Sequence, residues 1–425
     1  MTTVEPRSTD AVPFVTRAVD PARWPDVAAP PAASRARTAL TEAVIRRALH
    51  RLPLHVRFPD GSALGRGGPA LDVHDARSWY GRIGSRGLIG FGESYMAGEW
   101  DAPDPVAALT VLAGHAAELV PRPLQRLRSV WAQRQPWEQR NTPDGSRDNI
   151  SHHYDLSNEL FALFLDDTLS YSAALFRGFP ATWDLLPAAQ HRKIDRLLDL
   201  AEVEAGTRVL EIGTGWGELA LRAAARGAHV TSLTLSREQR DLARRRIAAA
   251  GLTDRVDVEL CDYREARGTY DAIVSVEMVE AVGAEFWPDY FRTLDDRLAP
   301  GGRAALQAIT MPHERMLASR TTYTWIQKYI FPGGLLPSVE AVADTVRLHT
   351  GLTVARRDAY GAHYAETLRL WRERFTARAD EVEALGFDET FRRMWTFYLA
   401  YSEAGFRSGY LDVQQYLLTK ERSPR

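Results

Sequence analysis

The stretch VLEIGTGWGELA, residues 209–220, constrains the fold more than any other part of this chain. Apolar, β-branched residues break into three glycines and then resume at helical spacing, which predicts a strand, a tight turn and a helix. Gly213, Gly215 and Gly217 lie in the turn. Glycine there lets backbone amides and a helix N-terminus face a ligand, as in nucleotide-binding βαβ units.

The segments around this turn continue the same alternation of strands and helices. Amphipathic helices such as RKIDRLLDLAEV and FWPDYFRTLDDRLAPGG flank the apolar strands HVTSLTL, RVDVELCD and YDAIVSVEM. This alternation predicts a doubly wound, mostly parallel sheet. Since 425 residues exceed one ordinary domain, we also expect a second, smaller domain.

Composition divides the chain into segments. Residues 1–36, rich in Pro, Ala and charge, predict a loose, flexible N-terminal arm. Residues 37–120 predict a small N-terminal α+β domain, and residues 121–149, with six arginines and two tryptophans, predict a basic linker. Residues 150–425 form the main domain, in which a helical, aromatic-rich insertion at about 310–420 could wall an apolar pocket or simply belong to the core.

Charge and cysteine content exclude several classes of function. The 53 Lys and Arg nearly balance the 55 Asp and Glu, so no global field attracts nucleic acid or anionic lipid. Cys261 is the only cysteine, which excludes an internal disulfide and suits a reducing cytosol. The adjacent His152 and His153 point in different directions and have no further ligand at suitable spacing, so we expect no metal. No apolar run reaches the roughly 18–20 residues of a membrane span, and a cytoplasmic protein is expected.

The glycine spacing favours S-adenosylmethionine over a dinucleotide. A dinucleotide fold prefers G-x-G-x-x-G and an acid after the second strand, whereas this chain has G-x-G-x-G and Thr234, Leu235 and Ser236 at that place. Asp262, after the third strand, is placed to accept a hydrogen bond from an adenine amine. The expected fold is therefore α/β, a Rossmann-like class I methyltransferase with the smaller α+β domain. The alternative is that the glycines only permit tight packing of strand on helix.

Further motifs specify a family. The chain contains, in order, HHYDLSNELFALFLDDTLSYSAALF, VLEIGTGWG, TSLTLSREQ, SVEMVEAVG, KYIFPGGLLPS and AHYAETLRLWRERF. Over about residues 80–420 it resembles the cyclopropane fatty acyl phospholipid synthase family, which also includes mycolic acid cyclopropane synthases and fatty acid C-methyltransferases. The resemblance implies transfer of a one-carbon unit from S-adenosylmethionine to the double bond of an acyl chain, usually within a phospholipid.

The resemblance also implies cofactor contacts. The matching residues are, from the methionine end to the adenine end, Tyr154, Tyr171, Ser172, Gly213, Gly215, Thr234, Leu235 and Gln239. For Tyr154 and Tyr171, ordinary aromatic packing is the alternative. Aromatic faces can stabilise the carbocation that methyl transfer leaves, and the candidates for this role are Tyr323, Trp325, Tyr329 and Tyr364.

A base must then remove a proton. For cyclopropane-forming members, the resemblance implies that a bound bicarbonate ion is the base. A Cys, a Glu, a His, a backbone group beside an Ile, and a Tyr would hold this ion. The corresponding positions here are Ala173, Glu280, Gln307, Ile309 and Tyr364. Two of them have changed, because Ala173 offers no side-chain contact and Gln307 stands where a histidine is expected. Glu280 could also act directly or only pair locally, and Glu277, a cofactor contact or a solvated strand end, is left outside the site.

The place of proton loss decides the product. A remodelled base site favours a methylene- or methyl-branched chain of the 10-methylene stearoyl kind, with a cyclopropane as the alternative. Two other classes stay open: a methyltransferase of a small soluble molecule or RNA, and a lipid-binding protein without activity. The sequence has no amine-clamp motif after the fourth strand and no dominant basic surface. Both observations argue against a nucleic-acid substrate.

The expected partners are an oleoyl-type phospholipid and the inner face of a membrane, where the protein would associate peripherally. The residues with the composition of an interfacial patch are Arg122, Arg126, Arg128, Trp131, Arg134 and Trp137. A solvated linker helix is the alternative for this segment. The small domain could dock lipid or form a homodimer, and a separate reductase is implied if the final product is saturated.

Overall fold

Two β-sheets organise the chain in this computed structural model, which describes residues 19–30, 34–116 and 157–422 together with 136, 141, 142 and 145. The smaller sheet has the order β2-β1-β3-β4 and consists of β1 (His55–Arg57), β2 (Ala63–Leu64), β3 (Ala70–Val73) and β4 (Trp100–Asp101). The larger sheet consists of β5 (Arg208–Ile212), β6 (His229–Thr234), β7 (Val256–Leu260), β8 (Tyr270–Val276), β9 (Leu298–Thr310), β10 (Leu352–Ala359) and β11 (Asp412–Lys420).

The larger sheet has the strand order β10-β11-β9-β8-β5-β6-β7. Neighbouring strands from β9 to β7 pair in parallel, whereas β11 runs antiparallel to both β9 and β10. Because Ile212 pairs with Leu233 on one side and Ser275 on the other, the carboxyl ends of β5, β6 and β8 meet at one edge. This arrangement confirms the predicted doubly wound, mostly parallel α/β sheet.

Helices cover this sheet and connect it to the smaller one. In the first part of the chain they are α1 (Pro25–Ala28), α2 (Arg35–Leu49), α3 (Ala76–Arg86), α4 (Leu88–Met96), α5 (Pro105–Gly114), α6 (Asn158–Phe164), α7 (Leu186–Leu200), α8 (Glu218–Ala225) and α9 (Arg237–Ala249). They continue with α10 (Trp287–Arg297), α11 (His313–Ser319), α12 (Trp325–Tyr329), α13 (Val339–His349), α14 (Gly361–Ala377), α15 (Ala379–Ala384) and α16 (Glu389–Arg407). Short 3₁₀ turns cover Trp183–Leu185, Tyr263–Glu265 and Ala284–Phe286.

The C-terminal region is not the helical insertion expected at about 310–420, because it also supplies β10 and β11 of the larger sheet. In β11 six consecutive residues from Val413 to Leu418 are buried on both faces of the sheet. Their sequence, VQQYLL, contains two glutamines. Because these polar residues interrupt the apolar run, the hydrophobic pattern does not predict a buried strand here.

The N-terminal arm is likewise not loose throughout. Val27 is 1% exposed, and the buried Arg82 guanidinium donates to its carbonyl oxygen over 2.6 Å. Asp26 forms an ion pair with Lys328 of α12 over 2.6 Å. Tertiary contacts therefore hold residues 19–30, whose composition alone indicated flexibility.

The small domain packs on α16 through α4 and α5. Arg393 of α16 connects the two units, since its guanidinium donates to the carbonyl oxygens of Tyr95 and Trp100 and pairs with Asp101. The arginines and tryptophans of the predicted basic linker lie outside the described residues. Within the described ranges, no helix combines the length and apolar character that a membrane crossing requires.

Candidate active site

The glycine turn after β5 combines tight packing with an opening. A Cβ on Gly213 would lie 2.6 Å from the sulfur of Met278, and one on Gly217 would lie 3.0 Å from the Cβ of Ala243. A Cβ on Gly215 would meet nothing within 4 Å among the described residues. All three have positive φ, at +97°, +52° and +91° in chain order. Packing thus accounts for Gly213 and Gly217, whereas Gly215 faces open space and leaves room for a ligand.

A cleft runs from this turn along the carboxyl ends of β5, β6 and β8. Among the residues that line it are the expected cofactor contacts Tyr171, Ser172, Gly213, Gly215, Thr234, Leu235 and Gln239. Thr234 donates to Gln239 Oε1 over 2.9 Å, so these two side chains hold each other at the rim. Tyr154, with His152 and His153, lies outside the described residues. The residues present therefore leave space and polar groups suited to a nucleotide-type ligand.

Asp262 differs from its expected surroundings. Its carboxylate is buried and accepts hydrogen bonds from Arg264 Nε over 2.9 Å and Arg264 Nη2 over 2.7 Å. A carboxylate engaged by a guanidinium is less available to an adenine amine. The adenine role of Asp262 stays a prediction that has to compete with this ion pair.

Three acidic or basic residues of the cleft were missed by the sequence analysis, namely Lys193, Glu211 and Glu218. Glu211 in β5 is buried, which raises its pKa to about 8 against the hydrogen bond from Ser232. Lys193 in α7 is 2% exposed, burial lowers its pKa to about 8, and its Nζ donates to Ser172 Oγ over 2.6 Å. A signal for Lys193 existed, because it lies on the stripe of α7 that also buries Ile194 and Leu197.

A second cavity, of about 1470 Å³, extends from this cleft into the small domain. It exceeds the roughly 300–1,000 Å³ of an ordinary small-molecule site. The main domain contributes Ile309, Leu335, Tyr364 and Phe406 among others, and the small domain contributes apolar residues that include Ile45, Ile83, Phe91 and Leu109. The aromatic-rich segment therefore does not form the wall of this pocket alone, because the small domain also contributes lining residues.

The cleft and the cavity share a boundary. The residues that line both are Tyr171, Leu235, Tyr263, Glu277 and Met278. Of the described lining residues common to both, Glu277 alone carries a carboxylate. A group held in the cleft and a chain held in the cavity would meet beside it.

Glu277, which the sequence analysis left outside the site, lies at its centre. It follows β8 with φ at +54°, in the left-handed region that rarely accommodates residues other than glycine. Its Oε1 accepts from the backbone N–H of Ala173 over 2.9 Å and from Gln307 Nε2 over 2.8 Å. Its Oε2 accepts from the hydroxyl of Tyr364 over 2.7 Å. The interpretation as a solvated strand end is thus wrong.

Glu280 has fewer partners. Its Oε1 accepts from the backbone N–H of Ile309, and its Oε2 has no hydrogen-bond partner among the described residues. Burial raises the pKa of Glu280 to about 8, and the nearby charge of Glu277 raises it further. Burial also raises the pKa of Glu277, but hydrogen bonds from Tyr364, Ala173 and Gln307 oppose this shift. The hydrogen bonds therefore favour ionisation of Glu277 over ionisation of Glu280.

The donors expected to hold bicarbonate are thus already engaged. Ala173, Gln307 and Tyr364 donate to Glu277, and Ile309 donates to Glu280. A bicarbonate ion on these donors would have to displace the carboxyl group of Glu277. The described residues do not fit a bound bicarbonate at this place.

The four aromatic candidates divide between the cavity and the domain interface. Tyr323 and Tyr364 line the cavity. Trp325 packs on Phe397 with ring centroids 4.8 Å apart, and the Tyr329 hydroxyl donates to Glu93 of the small domain over 2.9 Å. Tyr171 lines the cavity, and its ring packs on Trp371 with the centroids 5.3 Å apart. Aromatic packing and a place in the site are therefore both true of this residue.

Comparison with known proteins gives consistent matches. The family model for mycolic acid cyclopropane synthetase matches residues 141–416. Tuberculostearic acid methyltransferase UfaA1 of Mycobacterium tuberculosis is 56% identical over 96% of this chain and 97% of its own length. Cyclopropane-fatty-acyl-phospholipid synthase of Escherichia coli K12 is 33% identical over 80% of this chain and 86% of its own length.

A solved structure extends the comparison to the fold. The mycolic acid cyclopropane synthase CmaA1, complexed with SAH and CTAB, is 32% identical and superposes with a TM-score of 0.59. It covers 64% of this chain and 98% of its own. These matches agree with the resemblance noted from the motifs, and the matched range of the family model begins after the small domain.

Proposed function

This chain belongs to the mycolic acid cyclopropane synthetase family of S-adenosylmethionine-dependent methyltransferases, and from that premise we propose that it converts an oleoyl-type chain of a phospholipid into a methylene-branched chain. The observation that carries the proposal is the shared boundary of the cofactor cleft and the apolar cavity at Tyr171, Glu277 and Met278. The name of the 56% identical relative, a tuberculostearic acid methyltransferase, supports a branched product.

The cavity supplies what an alkene needs to react. When bound, S-adenosylmethionine supplies a methyl group to the double bond, which leaves a carbocation on the acyl chain. Gly213, Gly215 and Gln239 are among the residues that would hold S-adenosylmethionine. An apolar cavity orients the chain and excludes water that would trap the cation. Tyr171, Tyr364 and Tyr398 line this cavity, and aromatic rings can stabilise a nearby positive charge.

The outcome depends on when the proton is lost from the cation. If hydride moves first from the methyl-bearing carbon to its cationic neighbour, the charge comes to the methyl-bearing carbon. Loss of a methyl proton then gives an exocyclic methylene. If the methyl proton is lost before this shift, the methyl carbon closes a cyclopropane ring. Neither route consumes a reductant, and the methylene product keeps a carbon–carbon double bond. A saturated methyl branch therefore requires a separate reductase with its own hydride donor.

The cyclopropane synthase activity is the second candidate. It is favoured by Glu280 and Tyr364, which the resemblance assigns to the ring-forming site and which both line the cavity here. The engagement of all the expected bicarbonate donors by Glu277 and Glu280 argues for the methylene route instead.

The opening of the cavity supports delivery from a membrane surface. Leu40 and Leu88 are 62% and 65% exposed, yet both line the cavity, and Arg37 and Arg315 line it as well. Exposed leucines beside arginines suit insertion between anionic lipid headgroups. We therefore include peripheral association with a membrane and entry of the acyl chain through the small domain in the proposal.

Labelled methionine tests the proposed activity. The protein is expressed in a bacterium whose phospholipids carry oleoyl chains, methyl-labelled methionine is fed, and the fatty acids are identified by mass spectrometry and NMR. A labelled exocyclic methylene is the expected product. A labelled cyclopropane would establish the second candidate, and the absence of any labelled lipid beside an active positive control would overturn both.

A further inference from the structure

The carboxylate of Glu277 occupies an anion site made by three donors of the chain. The backbone N–H of Ala173, Nε2 of Gln307 and the hydroxyl of Tyr364 converge on it at 2.7–2.9 Å. These are three of the positions at which the family resemblance places a bicarbonate ion. In this chain a covalently attached carboxylate has the same donors and the same charge.

We propose that Glu277 is the general base that removes the proton after methyl transfer, in place of a bound bicarbonate. The inference rests on the proposed function and names the residue that completes its chemistry. Its position supports it, since Glu277 lines both the cofactor cleft and the acyl cavity. The left-handed backbone of Glu277 also indicates that the chain tolerates local strain to direct a carboxylate here.

The orientation of Gln307 shows that the site is built to receive a carboxylate. Gln307 Oε1 accepts from Gln415 Nε2 over 2.9 Å, which turns the Gln307 amide nitrogen toward Glu277. Arg196 in turn donates to Gln415 Oε1 and pairs with Asp358 over 2.6 Å. A chain of hydrogen bonds from a partly exposed ion pair thus fixes a donor on Oε1 of Glu277.

The hydrogen bonds also identify the oxygen that accepts the proton. Oε1 receives two N–H donors, which fill its lone pairs. Oε2 receives Tyr364 and retains one lone pair. A C–H bond of the new methyl group breaks, its electron pair forms the double bond to the cationic carbon, and the proton forms an O–H bond on Oε2. Cation and carboxylate both become neutral, and the carboxylic acid returns its proton to solvent after product release.

Anion rescue separates this inference from alternatives. Three purified variants are compared with the wild-type enzyme in carbonate-depleted buffer: Glu277→Gln, Glu277→Gly and, as the matched control, Glu259→Gln on the exposed side of β7. We expect wild-type turnover to be unchanged by added bicarbonate and Glu277→Gln to lose about 100-fold or more, a typical contribution of a general base. Glu277→Gly should relieve the backbone strain, open the anion site and regain at least about tenfold with bicarbonate or formate.

A second readout does not depend on turnover. ¹³C-labelled bicarbonate should bind to Glu277→Gly in NMR titrations and not to the wild-type enzyme, and the affinity of all variants for S-adenosylmethionine should stay within about threefold of the wild-type value. Wild-type activity that requires bicarbonate, full activity of Glu277→Gln, or loss of cofactor affinity in that variant would overturn the assignment. Absence of product from the wild-type enzyme instead overturns the proposed function, and the NMR titration still decides whether Glu277 occupies the anion site.

Discussion

The hydroxyl of Tyr364 donates a hydrogen bond of 2.7 Å to Oε2 of Glu277, and so connects α14 to the end of β8. Both residues line the acyl cavity, and burial together with the charge of Glu277 raises the pKa of Tyr364 well above its ordinary value of 10. The tyrosine therefore stays protonated as a donor throughout the physiological range. The relationship brings the carboxylate and an aromatic face to the same reacting region.

Removing this hydroxyl should slow the reaction without preventing substrate binding. We expect Tyr364→Phe to reduce kcat by about 10- to 100-fold, since one hydrogen bond to a charged group contributes roughly 1.5–3 kcal/mol. The ring remains to line the cavity, so KM should change little. Steady-state kinetics would measure this. Tyr270→Phe, which removes a surface hydroxyl that donates to the carbonyl oxygen of Arg267, is the control and should retain wild-type kcat.

The buried acid Glu280 predicts a pH dependence of stability. Its pKa is about 8 in the folded chain against an ordinary value of 4.5, so the folded state binds the proton more tightly. Stability from this group is complete below about pH 4.5 and is lost as pH rises through about 8. Urea unfolding at pH 5.5 and 7.5 should show a smaller loss for Glu280→Gln than for wild type, by up to about 1.4 kcal/mol per pH unit.

This window avoids Lys193, whose lowered pKa of about 8 makes its contribution appear above neutral pH. Glu259→Gln serves as the control, because Glu259 is exposed whereas Glu280 is buried. Equal losses of stability in Glu280→Gln and wild type would show that Glu280 is ionised in the folded chain.

Exposed leucines at the cavity mouth should contribute to lipid binding. Leu88→Asp removes an apolar side chain that is 65% exposed and adds a charge, so we expect at least tenfold weaker binding to oleoyl phospholipid vesicles. Leu348→Asp is the matched control, because Leu348 is 62% exposed and lies on α13. Vesicle cosedimentation would measure both. Equal weakening by the two substitutions would contradict entry through the small domain.

The hydrogen-bond chain behind Gln307 predicts a positioning role for Gln415. In Gln415→Glu the new side chain can only accept, so Gln307 should turn its amide nitrogen away from Glu277. The pKa of Glu277 then rises, and the acidic limb of the kcat–pH profile should move upward by about one unit. Gln414→Glu places the same charge one residue earlier in β11, beside Asp412, and should leave the profile in place whatever its effect on stability. An unchanged profile in Gln415→Glu would contradict the role.

Local patterns predicted the four parallel strands β5 to β8 of the larger sheet. Strand and helix periods, the glycine turn and the absence of an acid after β6 depend on neighbouring residues, and the structure confirms the doubly wound α/β fold that they predict. The bounds of the small domain, residues 37–120, stay a prediction. The same local reasoning missed β9, β10 and β11, and in β11 two buried glutamines interrupt the apolar pattern.

The amino-acid sequence by itself therefore determined the parallel strands β5 to β8, the glycine turn and the cofactor class, because periodicity and turn chemistry act over a few residues. Only the tertiary structure decided that Glu277 belongs to the site. Its donors come from Ala173, Gln307 and Tyr364, which lie 104, 30 and 87 residues away along the chain. The protonation and hydrogen bonding of a buried carboxylate depend on what packs around it, and no local pattern encodes those neighbours.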